Sequence, residues 1–561
     1  MLKCFTNMPP LLNFRTAMKP TRFLWLLPAF ALLCLNSCKS DDHQAKQETK
    51  PVVYRSAPDD YAQVPAWTPD DMAFFLHGSM STEVVPEVVL RTFMRIYPDL
   101  FPTSDLTYLG LIPDPQFGWP IGFSKKPVAH LGGLSSIGIN CAACHVTEII
   151  PPVSGSNIRV LGVTSHFDAE AFLGSVIVAT FRTEDPANMK RFLSAYLGET
   201  DPKSNAKTQD QLATQWDEQQ SNILATLTAD PAGTNGLAHG TLNDIRSKDL
   251  RLDHQVLTAG TDLANISYTM LKLFHNMRAC LHFPDVPPGT LPPPSGPGRN
   301  DAFGLLSASL FGIPQPPAPV KYGLVWNVDH RPFVHWDGNT RSPLGRNILA
   351  SLGLGAPLIN GPEGELDLAL VKRQTDISEK IRPPRYPFII DQAAATRGAA
   401  HYQALCAECH DGEQTDARLY SPAQIGTDPQ RAIGFTQAEA DLFNKFFGEL
   451  KIDGYVAPTN PPIRSTQKYL SPNLEGVWAR SPYLHNGSVR TMQELLMKPA
   501  DRAKTFRRGS RLYDATDMGY TDAGAFQYDT SVPGNSNSGH NYGSDLNADQ
   551  KRDLIEYLKT L

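Results

Sequence analysis

Hydrophobic and polar positions divide the chain into stretches of different character. Phe23 to Leu35 (FLWLLPAFALLCL) carries no charge, but it is shorter than the roughly 20 residues a membrane-spanning helix needs. Lys3, Arg15, Lys19 and Arg22 precede it, the order of an export signal. Residues 39 to about 65 are polar and read as a flexible tether. PEVVLRTFMRIYP (86–98) predicts an amphipathic helix with Val89, Leu90, Phe93 and Tyr97 on one face and a proline at each end. The alanine-rich DQAAATRGAAHYQALCAECH predicts a helix capped by Asp391, with Gly398, Tyr402 and Cys406 on one face. LNADQKRDLIEYLKTL (546–561) predicts a terminal helix whose Leu554, Ile555, Leu558 and Leu561 enter the core, with Asn547 and Gln550 as a capping box. Turn-rich stretches (LIPDPQFGWPIGF, HLGGLSSIGINCAACH) and proline clusters at 284–298 and 313–319 predict long irregular connections, which in enzymes often lie near a site. No coiled coil and no repeat beyond the two motifs discussed below is read.

Composition narrows this picture. With 561 residues, 41% of them hydrophobic and 19% charged, the chain fits an ordinary soluble globular protein of two to four domains. A net charge of −6 with scattered Lys and Arg excludes a nucleic-acid partner. The export signal ends in LNSC (35–38), which resembles a bacterial lipobox; Cys38 would then carry a lipid anchor to a membrane, in the periplasm or at the cell surface. Asn36 departs from the usual pattern, and the alternative is an ordinary cleaved signal; both export the protein. Of eight cysteines, Cys4 and Cys34 leave with the signal, Cys280 reads as a buried thiol, and four sit in two copies of one motif. A disulfide framework is therefore excluded, although the compartment permits one.

The two copies are CAACH (141–145) and CAECH (406–410). Cys-x-x-Cys-His is the spacing of covalent c-type haem attachment: two sulfurs reach the porphyrin edge and the next imidazole falls beneath the iron. From these residue counts one match is expected by chance about three times in a thousand. A redox dithiol would need a surrounding βαβ pattern, and a zinc module would keep its cysteine pairs close together. Cys141, Cys144 and His145, and Cys406, Cys409 and His410, are thus read as two haem c sites, with His145 and His410 as proximal iron ligands. Residues 391–561 read as a cytochrome c domain with its terminal helix.

Two distant CxxCH sites, followed by RSPYLHNGSVRTMQELL (480–496), resemble the bacterial dihaem cytochrome c peroxidase superfamily. The continuation through Asp514 and the ending NSGHNYGSDL are more similar to its rubber-oxygenase-like branch. The resemblance spans most of residues 67–561, loosely in the middle third. It implies a mainly α fold of two cytochrome c-like haem domains, with long irregular loops and little β structure. The expected boundaries are a lipoprotein-type signal at 1–38, a linker at 39–66, an N-terminal haem domain with large insertions at 67–390 and a C-terminal cytochrome c domain at 391–561. It also implies one six-coordinate electron-handling haem and one haem that binds peroxide or oxygen, served by a small redox donor such as a cytochrome or cupredoxin. Calcium between the domains, as in some relatives, stays open. A dihaem electron-transfer cytochrome without substrate chemistry is the alternative function.

Candidate sixth ligands of the second haem are His540 in NSGHNYG, His485, Met492, Met497 and Met518. The methionine that peroxidases of this family place after the histidine matching His485 is replaced by Pro499. His540 lies in a glycine-flanked loop that would let the backbone approach a haem, and it resembles the distal histidine of the oxygenase-like branch. Around the first haem the densest cluster is VWNVDHRPFVHWDGNTRSPLGRN (325–347), with His330 and His335 as acid–base candidates; Glu170 is a further one. Trp326 and Trp336 are read as core, pocket wall or electron relay.

Overall fold

Helix caps and apolar faces place the elements that carry the two motifs. The computed structural model describes residues 60–151, 156–201, 203–231, 252, 257, 262–281, 294–357, 366–450, 456 and 460–561. The export signal, the Cys38 anchor, most of the tether and residues 284–293 of the first proline cluster lie outside them. Helix α1 (Pro69–His77) starts at a Thr68–Asp71 capping box. Helix α2 (Glu87–Ile96) follows Pro86 and buries Val89, Leu90, Thr92 and Phe93, as its periodicity predicts. Strands β1 (Val85–Pro86), β2 (Phe123–Val128) and β3 (Leu134–Ile139) form an antiparallel sheet in the order β1-β3-β2. Helix α3 (Cys141–His145) leaves β3 through Asn140, whose side chain accepts from Ala142 N and donates to the Gly78 carbonyl.

After the antiparallel pair β4 (Val146–Ile149) and β5 (Ile158–Leu161), helices α4 (Ala169–Thr183), α5 (Pro186–Thr200), α6 (Ala206–Ala229) and α7 (Leu263–Cys280) build a helical layer. Phe93, Phe192 and Phe274 meet there with ring centroids 5.4–5.5 Å apart, all fully buried. Truncating any one to alanine costs about 3–5 kcal/mol. A second core joins Phe303 and Leu306 of α8 (Ala302–Phe311), Ile348 and Leu352 of α9 (Pro343–Gly353) and Val371 of α10 (Leu368–Ser378) to Phe443. Helix α11 (Gln392–Leu405), capped by Asp391, leads into α12 (Ala407–His410) and packs on the terminal α13 (Ala548–Leu558), which starts at the Asn547–Gln550 capping box. Among the described residues no helix is long and apolar enough to cross a membrane.

The expected class does not hold. The structure is 47% helical and 12% strand, with seventeen α-helices among the described residues; it is a mixed α/β chain and not a mainly α pair of cytochrome c-like haem domains. The strands are two to six residues long, too short for alternation to register, and β2 even contains Pro127.

Nor did the sequence reading detect a repeat that the backbone shows. A two-residue ribbon, β6 (Arg299–Asn300) with β7 (Val320–Lys321), recurs as β8 (Leu419–Tyr420) with β9 (Tyr469–Leu470). From β7 and β9 onward the two copies stay in step. Left-handed Asn327 and Gly476 each open a 3-10 turn, and the bridge Val334–Thr340 matches Tyr483–Val489. Left-handed His335 and Gly338 match Leu484 and Gly487, and Ser342 and Thr491 each cap the next helix. In this frame Arg331 matches Arg480, Gly323 matches Pro472, and Trp336 takes the place of His485.

Candidate functional site

Each haem motif ends at a cavity. The second, about 200 Å³, is lined by Cys406, Cys409, His410, Tyr469, Arg480, His485 and His540, among others. Helix α11 can lie against α13 only because residue 398 is glycine: a Cβ there would stand 1.9 Å from the Asp553 carbonyl oxygen. Buried Tyr402 packs at a tilt against Tyr557, with ring centroids 5.0 Å apart, and donates its hydroxyl to Asp411, just past the motif. His410 Nδ1 donates to the Pro472 carbonyl at 2.7 Å, which leaves Nε2 free to ligate. Across from it stands His540, with ring centroids 6.3 Å apart. Metal–imidazole bonds of about 2 Å on each side of one iron produce a separation of this size.

The His540 loop is tightly held. Residue 539 has φ +75° and a Cβ on it would come within 2.3 Å of Gly426, so only glycine fits. The His540 N–H donates to Ile425, and its carbonyl accepts from Arg502. His485 also reaches this cavity, but its Nε2 lies 3.1 Å from the Tyr469 hydroxyl and its ring stacks on that phenol at 4.3 Å. Met492 is on the wall, whereas Met497 and Met518 are not.

The first cavity, about 300 Å³, is lined by Cys141, Cys144, His145, Glu170, Arg331, His335, Trp336 and Arg346, with an apolar extension of Leu173, Ile177, Leu306, Leu349 and Leu354. Among the described residues the ring contact of His145 is the edge of Tyr322; no imidazole ring touches it, although His335 in the same cavity is near enough for the two groups to act on each other's charge. His335 lines the cavity; its Nδ1 is engaged by Asn339 Oδ1 at 2.8 Å, leaving Nε2 as the free nitrogen. Glu170 reaches the same wall, but its carboxylate oxygens accept from the backbone N–H groups of Ser295 and Asp301. His330 stays outside: its side chain is 72% exposed beside Asp329, because it ends a surface 3-10 turn. Trp326 is fully buried core, donating to the Leu161 carbonyl.

Electrostatics favour a covalent attachment through the cysteines that carries no charge of its own. Burial pushes the Cys144 thiol up to about 12 and the Cys406 thiol up to about 11. Such thiols resist becoming the thiolates that zinc or dithiol chemistry requires, whereas a thioether carries no charge. Burial lowers His145, His335 and His540 to about 3, reinforced by nearby arginines at the first two and by His410 and then Arg502 at the third, so all three are neutral at ordinary pH. At His145 the Gly323 backbone pulls the other way, as the matching Pro472 carbonyl does at His410. Arg331 and Arg480, matched in the repeat, sit one on each cavity wall, and Arg346 joins the first. None makes an ion pair with a carboxylate among the described residues, and burial lowers Arg331 to about 10 and Arg480 to about 9. Glu475 acts on Arg331 and Arg480, and Glu379 on Arg346, only from beyond ion-pair distance, and buried cations without directly paired counter-charges are costly. The two propionates that a haem carries would supply them, so the donor set fits haem c in both cavities. Among the described residues no cluster of three or more His, Cys, Asp and Glu side chains offers a bare-ion site, for calcium or zinc. Lys321, Trp336, Leu470 and Pro472 line both cavities and form the wall between them.

Sequence reasoning missed Lys321, Arg331, Arg480 and Tyr469. The readable signal was V-x-x-R followed by [DN]-G-x-x-R-[ST], present at 328–342 and 477–491.

Residues 468–507, the second copy of the repeat and much of the second cavity wall, match a family model described as RoxA-like, cytochrome c-like. The match supports the rubber-oxygenase-like side of the expected resemblance and points to a haem-containing oxidoreductase with haem c; it does not extend to the wider dihaem peroxidase superfamily. The chain is 31% identical to the uncharacterized protein y4iM of Sinorhizobium fredii over 322 residues, 49% of this chain and 73% of that protein. It is 27% identical to the uncharacterized protein y4iJ of the same organism, covering 86% of this chain and 89% of that one.

Proposed function

The chain belongs to the family of the Sinorhizobium fredii protein y4iM, and we propose that it is an exported dihaem c-type oxidoreductase of the peroxidase or oxygenase kind. Cys141, Cys144 and His145 would hold one haem c, and Cys406, Cys409, His410 and His540 would hold the other. Bound there, haem supplies one-electron redox chemistry. The carbonyl of Pro472 keeps the proton of His410 on Nδ1. In the first cavity neutral His335 takes a proton at Nε2 from an incoming peroxide, and the apolar extension excludes water and accommodates an apolar substrate portion. A small one-electron donor protein meets the rim of the second cavity, where Leu405 is 37% and Tyr542 40% exposed. The lipid on Cys38 holds the protein to a membrane.

One observation carries this reading: the imidazole pair His410–His540 spans the second cavity with ring centroids 6.3 Å apart, whereas His145 makes no ring contact with His335, the other imidazole of the first. Absorption and EPR spectra of the holoprotein with and without cyanide, CO or peroxide test it. One haem should change with each ligand while the other stays low-spin. Two low-spin haems inert in both redox states would replace the enzyme with an electron-transfer cytochrome.

A further inference from the structure

We propose that a third, small cavity walled by His166, Arg490 and Arg508 is a binding site for a single halide ion such as chloride. The site does not depend on the function proposed above, because it shares no wall residue with either cavity of the haem motifs. It lies where the loop carrying Ser165 and His166 meets the turn at Ser481 and Pro482 and the strand Thr505–Arg508. Its volume is about 10 Å³, roughly one water-sized sphere. A monatomic ion fits that space, whereas a carboxylate, phosphate or sulfate does not.

Three buried donor atoms on this wall find no hydrogen-bond partner among the described residues: His166 Nε2, Arg490 Nε and Arg508 Nε. His166 is 6% exposed and Arg508 4%. The terminal nitrogens of Arg508 donate to the carbonyls of Gly487 at 2.6 Å and Pro297 at 2.9 Å, which holds the guanidinium in place and leaves Nε–H as its remaining donor. The His166 ring is held by the edge of Tyr520, with centroids 4.5 Å apart. A fourth donor comes from Ser510 and Thr521, whose hydroxyl oxygens are 3.0 Å apart. One hydroxyl donates to the other, so one proton of the pair is left over.

Charge decides what occupies the site. Arg490, Arg507 and Arg508 line it, and no Asp or Glu does. Guanidinium groups keep their protons; burial first, and then Arg299, lower Arg508 only to about 9. The surrounding carboxylates are engaged or remote. Glu494 accepts the backbone N–H groups of Arg490 and Ala503, Asp522 accepts that of Arg507, and Glu148 pairs with Arg511 at 3.1 Å. Asp168 acts on Arg508, and Asp517 on Arg490, only from beyond ion-pair distance. Burial, then Arg511 and Arg508, lowers His166 to about 3, so its ring is neutral and donates an N–H without adding charge. A water would leave the positive charges unbalanced; a halide balances one and accepts from every donor. The ion ties this loop to the C-terminal part of the chain. The Ser165 N–H also donates to the Cys144 carbonyl at 2.9 Å, so the same loop backs the first CxxCH helix.

The holoprotein is used for the test. Crystals soaked in sodium bromide should show an anomalous peak at the bromine edge between His166, Arg490 and Arg508. In solution the melting temperature should rise with sodium chloride and saturate. Sodium methanesulfonate at equal ionic strength, whose anion is too large for the cavity, should not reproduce that rise. Arg490→Met and His166→Phe each remove one donor and should weaken half-saturation by about tenfold. A cavity that holds only water in the bromide crystals overturns the proposal. A bromide peak without a chloride-specific rise means an adventitious ion only and overturns it as well, as does unchanged half-saturation in both variants. The bromide and methanesulfonate measurements need only the natural chain, so they decide the matter even if a variant does not fold.

Discussion

The two cavities share a frame and differ in what faces it. In both, a CxxCH helix presents its histidine beside a strand of the repeated ribbon. A matched backbone group acts on the imidazole, Gly323 in one and Pro472 in the other, and a matched arginine waits on the wall. Opposite the histidine the likeness ends. The second cavity is closed by His540, delivered by a loop so tight that only glycine fits at 539. The first opens toward α4, α8 and α9, whose apolar side chains leave space. The frame holds a group; the element brought across from it decides whether that group binds anything else.

The largest expected effect breaks the comparison at its base. Cys141→Ala and Cys406→Ala should each lose about half the covalent haem on a stained denaturing gel, and the double variant all of it. Full stain in both single variants would remove the haem reading altogether.

Next comes the closed face. His540→Ala, or Gly539→Val, which drives a side chain into Gly426, should turn the second haem from low-spin to one that binds cyanide or CO. Making the second cavity resemble the first in this way sharpens the claim that one loop separates them. A second haem still low-spin and inert in His540→Ala would hand the ligand role to another side chain, with Met492 and His485 the candidates on the wall. On the open side, His335→Gln keeps a polar side chain without the base and should slow the reaction with peroxide about 10²–10⁴-fold in stopped-flow traces, with the second haem's spectrum unchanged. An unaltered rate would reduce His335 to a wall residue.

These differences were unevenly legible in the sequence. The motifs, the caps at Asp391 and Asn547 and the glycine-flanked His540 could be read because each depends on a few neighbouring residues. The mixed class could not, since its strands are too short to show a period. The repeat escaped because it is carried by backbone conformation: Asn replaces Gly at 327, and His335 and Leu484 adopt the same left-handed turn with unlike side chains. His330 and His335 looked equivalent in sequence, yet the 3-10 turn sends one to solvent and the bridge that follows brings the other to the cavity. Glu170 reaches the cavity wall as anticipated, but the backbone groups that occupy its oxygens come from more than a hundred residues away.

The smallest effect concerns stability. His335 in the first cavity and His485 in the second are both lowered to about 3, by burial first and then by nearby arginines. An unfolded histidine takes up its proton near pH 6.5. Between about pH 6.5 and 3 the unfolded chain therefore binds a proton at each position that the native chain refuses. The stability contributed by each neutral ring is complete above that window and falls as pH drops through it, by about 1.4 kcal/mol per pH unit for each histidine. His335→Gln and His485→Gln should each flatten the decline of the urea midpoint between pH 6 and 4 by one proton's worth. Equal flattening would show that the two walls are equally dry despite their different openness. If only His485→Gln flattens it, the first cavity admits enough water to protonate His335 in the folded protein, and its role there would shift from accepting a proton to donating one.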